Sequence, residues 1–101
     1  MNIEATEAYN YYKGLYPPFI IFFLINKTYT AYNQDAIQVS NALGIKCDSG
    51  QVSVPSDTIL DTISELSKHG LKAKTVMCRN DRGEYDLPDV RQLKAERDLD
   101  M

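Results

Sequence analysis

The chain has 101 residues, enough to bury one hydrophobic core and too few for two. Apolar residues make up 44% and charged residues 25%, a globular balance; a disordered chain would carry less apolar content and more net charge. Acidic residues outnumber basic ones 14 to 11, for a net charge of −3. Because phosphate neutralisation supplies most nucleic-acid affinity, that balance argues against strong DNA binding by the chain as a whole and leaves room only for a local basic patch. The start, Met1-Asn2-Ile3-Glu4, lacks the basic-then-apolar order of a secretory signal, and the longest apolar run, residues 19–25, is too short for a bilayer. The expectation is a cytoplasmic protein with Cys47 and Cys78 as free thiols, without cofactor or metal, since two cysteines and the single His69 lack ligand spacing.

Residues 3–13 read as a first helix. Glu4 and Glu7 suit its positive end, Ala8, Tyr9 and Tyr12 recur at helical spacing, and Gly14 is a natural stop. Pro17-Pro18 then favours extended chain. The run Phe19-Ile20-Ile21-Phe22-Phe23-Leu24-Ile25 is apolar at every position, as expected of a central strand covered on both faces. Asn26-Lys27 is a turn, and residues 28–32 alternate as a second, antiparallel strand. Asn33 is placed to cap a helix over residues 34–43, with Ala36, Ile37, Ser40 and Leu43 inward and Gly44 at its end. Residues 45–47 and 52–54 read as short strands around an Asp48-Ser49-Gly50 turn. The third helix is the clearest element: Ser56 or Asp57 caps it, Ile59, Leu60, Ile63 and Leu66 form its apolar side, and Gly70 ends it.

Residues 71–78 alternate as a half-exposed strand, Asn80-Asp81-Arg82-Gly83 is a hairpin turn, and residues 84–86 pair back. Pro88 opens a last helix from Asp89 to about Asp98 with a thin apolar stripe of Val90 and Leu93. The order of elements indicates an α/β (α+β) domain, a mixed β-sheet flanked by three to four helices. The domain proper is assigned to residues 1–87, and residues 88–101 to a C-terminal helix or linker.

The stretch from Phe19 through Thr28-Tyr29-Thr30 to Asp35-Ala36, closing at Leu43-Gly44-Ile45, resembles the N-terminal mismatch-recognition domain of the MutS family. That family has an apolar strand, a Gly-Asp-Phe-Tyr-Glu turn and strand, and a helix opening with Asp-Ala. Ser53-Val54-Pro55, the following helix, Gly70 and residues 71–77 reproduce its next block, so the resemblance runs over roughly residues 5 to 79. It implies a non-catalytic DNA-associated domain. It also shows a departure. The Phe and Glu that read a mismatch in the family stand here as Thr28 and Thr30, with only Tyr29 kept, and Asn26-Lys27 replaces Gly-Asp. A threonine lacks the flat apolar face that replaces lost base stacking, worth roughly 1–3 kcal/mol per aromatic–base contact.

The candidate nucleic-acid contacts are therefore Lys27, Thr28, Tyr29 and Thr30 in the family's DNA-facing loop, and Lys72 and Lys74, which share one face of a strand within a basic stretch that also holds Lys68, Arg79 and Arg82. Each has a plainer reading, preferred on the residues alone: a β-turn with a packed Tyr for the first four, the solvated face of an amphipathic strand for the lysines. Tyr9, Tyr11, Tyr12 and Tyr16 are read as packing on the sheet or forming a partner surface. Asp57, Asp61 and Glu65 line one helix face as its wet side, with no nucleophile, base or phosphate loop to make an enzyme. The partners expected are double-stranded DNA, bound weakly, and a DNA-processing protein, with no membrane and no small-molecule substrate. The competing reading is a protein–protein interaction module that has lost DNA.

Overall fold

The computed structural model describes residues 3–99. Helix α1 spans Ile3–Leu15 and buries Ala5, Ala8 and Tyr9, an i, i+3, i+4 set. It runs through Gly14 and stops before Pro17, so the proline pair and not the glycine ends it. Strands β1 (Phe19–Ile25) and β2 (Thr28–Tyr32) form an antiparallel hairpin in which Phe23 faces Thr30 and Ile25 faces Thr28. Helix α2 (Asn33–Leu43) follows without a loop and closes on Gly44, whose φ of 70° is the left-handed conformation that glycine adopts without strain. The expected strand at 45–47 does not form. Ile45 and Cys47 instead pack sideways on the core, and only an Asp48–Gln51 bridge closes the turn into β3 (Gln51–Pro55). A 3-10 turn over Ser56–Thr58 leads into α3 (Ile59–Lys68), and β4 spans Lys72–Val76. Residues 78–86 form an irregular ribbon around the Asn80–Gly83 turn, with Arg79 bridged to Tyr85. Helix α4 covers Val90–Leu99, started by the Asp89 carboxylate accepting the Gln92 N–H at 3.2 Å.

The sheet order is β3-β2-β1-β4. β2 opposes both of its neighbours and β4 runs parallel to β1, so β1, β3 and β4 point the same way. Two apolar clusters sandwich this sheet. Ile20, Phe22 and Leu24 meet Ala36, Val39, Ile59 and Leu66 of α2 and α3, while Ile21 and Phe23 meet Ala5, Ala8 and Tyr9 of α1 and Val90 of α4. Seven apolar residues in a row are thus accounted for by a strand with helices on both sides.

Three details of patterning depart from expectation. Ile37 is 45% and Leu60 78% exposed, although both were assigned inward. Asp35 and Val39 take the inner face of α2 with Ala36, and Thr62 joins Ile59 and Leu66 on α3. Neither Asn33 nor Ser56 nor Asp57 makes a side-chain cap bond. Asn33 has φ of 52° and gives its N–H to the Gly50 carbonyl at 2.8 Å.

Candidate nucleic-acid interface

The β1–β2 turn is fixed on both sides. The Asn26 N–H donates to the Tyr85 carbonyl at 2.9 Å, and the Lys27 carbonyl accepts the Ser56 N–H at 2.9 Å. Within it, the Thr28 hydroxyl donates to the Ile25 carbonyl at 3.1 Å. Asn26 takes the left-handed conformation (φ 55°), which Asn tolerates better than most residues. Lys27 and Thr28 are exposed, and the Lys27 ammonium makes no hydrogen bond, ion pair or ring contact among the described residues.

Tyr29 and Thr30 lie elsewhere. The Tyr29 side chain is 7% exposed and belongs to the cluster under α2 and α3. Thr30 is 3% exposed, and its hydroxyl lies 3.0 Å from that of Ser53 on β3. Neither side chain presents surface to a ligand. Alternation explains the first, since Tyr29 points with Ala31 away from Thr28. The second is covered because the chain after the ribbon returns over this face, where Leu87 and Val90 pack with Phe23 and Tyr32.

Lys72 and Lys74 share the α1 side of β4 with Val76, as their alternation requires, but they sit at the far end of the sheet. Lys72 pairs with Phe19, the first residue of β1, whereas Lys27 lies beyond the last. At about 3.3 Å per residue, the two positions are roughly 20 Å apart along the strand. The Lys74 ammonium stands 3.8 Å over the Tyr16 ring, which itself packs edge-on against Phe19. Lys68 is tied to Glu65 at 2.9 Å, and Arg79 stacks on Tyr85 with its guanidinium 3.1 Å from the Tyr85 hydroxyl. Three cations of the basic stretch are thus locally engaged, while Lys72 and Arg82 have no side-chain partner among the described residues. The Glu65 carboxyl is held below its usual range by its hydrogen bond from Lys68 and that ammonium's charge.

The tyrosines pack mostly inward. Tyr12 meets Phe23 edge-on with ring centroids 5.7 Å apart, and its hydroxyl is pushed up by burial and then by Cys78 and the neighbouring Tyr11 and Tyr16. Asp61 and Glu65 line a groove of about 310 Å³ between α2 and α3 with His69, and no group of three metal-ligating side chains occurs among the described residues. No helix among them is long and apolar enough to cross a membrane.

The most buried ionic contact was not singled out from the sequence. Asp35 is 0% exposed, with Lys13 Nζ 2.7 Å from its Oδ1. The signal was present: a carboxylate at position 35 interrupts the apolar face formed by positions 36, 39 and 43. Tyr85, which anchors the Lys27 turn through its carbonyl, carried no such mark.

No curated protein matches the chain. The family model for MutS domain I matches residues 5–92, from the first turn of α1 through the docked start of α4. With that match, a mixed four-stranded sheet and the Asp35-Ala36 start of α2 in place, the chain belongs to the MutS domain I family.

Proposed function

We propose that this MutS-like module is a non-catalytic DNA-associated domain that touches duplex phosphates through the Lys27–Thr28 turn and does not read mismatches by the Phe-x-Glu route. The observation that carries the reading is the turn itself: an unpaired, exposed ammonium on a backbone pinned by the Tyr85 carbonyl and the Ser56 N–H. A fixed turn presents a cation to phosphate with little ordering cost. Thr28 beside it offers a hydroxyl and no ring, so stacking against a displaced base has no donor at this position. Binding is weak because the chain is net negative, and the module serves within or beside a larger DNA-processing assembly in the cytoplasm, where its two free thiols stay reduced.

The test is fluorescence anisotropy of labelled matched and mismatched duplexes across a salt series. One or two phosphate contacts give a log–log slope of about −1 to −2, and Lys27→Ala reduces its magnitude by about one. Matched and mismatched duplexes bind equally. Absence of binding at the lowest salt, or a clear preference for the mismatch, refutes the proposal.

A further inference from the structure

We infer that the outer edge of β4 is a docking site for an extended segment of another protein whose side chains alternate between apolar and acidic. Among the described residues β4 is hydrogen-bonded only to β1, so every second residue turns its N–H and C=O outward, the template on which an added strand pairs. The other edge is blunted: β3 ends in Pro55, which has no N–H, and is entered through the tight Asp48–Gln51 turn. The chain has neither proline nor glycine from Lys72 through Val76 of β4 to the following Met77.

The two sides of this edge differ in chemistry. On the α3 side lie Leu71 and Ala73, followed in the same alternation by Met77, which is 60% exposed. On the α1 side lie Lys72, exposed and without a partner among the described residues, and Lys74 on its Tyr16 ring. Edge lysines alone guard against pairing. Here they stand on one side only, with the large apolar Met77 exposed on the other.

A strand added at this edge distributes its residues to the two sides with a period of two. Apolar residues on one side cover Ala73 and Met77, and carboxylates on the other meet Lys72 and Lys74. A second copy of this chain does not fit. Two β4 edges oppose lysine to lysine, and β3 offers Gln51, Ser53 and Pro55 with no carboxylate.

The probe is a pair of synthetic hexapeptides, one alternating valine with glutamate and one valine with lysine, titrated into the isotopically labelled full chain. The glutamate peptide shifts the amides of residues 72–77 and slows their hydrogen exchange, and the lysine peptide binds at least about tenfold more weakly. Lys72→Glu, at an exposed position and checked for folding by circular dichroism, narrows or reverses that preference. Met77→Ser weakens both peptides. Equal binding of the two peptides, no binding, or shifts centred away from β4 overturn the inference. Protection of β4 that rises with protein concentration in the absence of peptide also overturns it, in favour of self-pairing.

Discussion

Asp35 joins three elements through one carboxylate. Its Oδ1 lies 2.7 Å from Lys13 Nζ at the end of α1, its Oδ2 accepts the Ile21 N–H of β1 at 2.9 Å, and it sits itself in the first turn of α2. β2 pairs with β1 from Phe23 to Ile25, and Asp35 accepts the Ile21 N–H, which lies beyond the last of these pairs. The Lys13 ammonium in turn donates to the Phe19 carbonyl at 2.6 Å. Removing one partner of a buried ion pair leaves the other uncompensated, at roughly 3–5 kcal/mol. Asp35→Ala should lower unfolding free energy by about that much, and Asp35→Asn by less, because the amide oxygen still accepts from Ile21. Urea denaturation of the two variants measures this. Equal losses for both would mean that the Ile21 bond contributes nothing.

Thr28 and Thr30 occupy the family's two mismatch-reading positions, yet their surroundings differ. Thr28 is exposed, and Thr28→Phe should change stability by no more than about 0.5 kcal/mol. Thr30 is 3% exposed and paired with Ser53, so Thr30→Glu forces a carboxyl into a closed space. The folded state then favours the protonated acid, raising its pKa above the unfolded value. The resulting destabilisation, about 3 kcal/mol or more, is largest at neutral pH and shrinks as pH falls below the folded pKa. Urea midpoints at neutral and mildly acidic pH are the check. A Thr30→Glu variant as stable as the parent at neutral pH would show that this face is open, and that the family motif can be restored by substitution alone.

The architecture was legible where a pattern had one reading. Residues 19–25 are apolar at every position, and only a strand sandwiched by helices accommodates that. The 28–32 strand and the Asp35-Ala36 helix start followed from it in register. Helix faces were less legible. Ile37 and Leu60 are apolar and adjacent to buried neighbours, but a helix turns about 100° per residue, and the arc against the sheet is narrow enough to leave the next residue outside. The candidate site divided for a reason no local pattern records. Lys27 and Lys72 attach to opposite ends of β1, which depends on β4 pairing parallel to it after a helical crossover.

The contrast between Ile59 and Leu60 is itself a measurement. Ile59 is buried against the sheet and Leu60 is 78% exposed, although they are chain neighbours of equal volume. Ile59→Ala should cost about 2–5 kcal/mol, whereas Leu60→Ala should stay within about 0.5 kcal/mol. Comparable losses at the two positions in urea denaturation would mean that α3 is rotated from the orientation described.

Alkaline pH should unfold this domain through its tyrosines. Burial raises the hydroxyl pKa of Tyr9, Tyr12 and Tyr32 above the ordinary 10.0, with the Asp35 charge adding to it at Tyr9 and the Asp86 charge at Tyr32. A raised folded-state value means that the native chain holds protons which the unfolded chain gives up. Their contribution is fully present below about pH 10 and is lost as pH rises through the folded-state values. Urea midpoints should therefore fall on moving above about pH 10, and the tyrosinate absorbance of the native state should show a subset of the seven tyrosines ionising late. Tyr32→Phe removes one of these groups, so its midpoint should fall less steeply with pH than that of the parent. A midpoint flat through this range, or all seven hydroxyls titrating together in the native chain, would mean that these side chains meet solvent in the folded state.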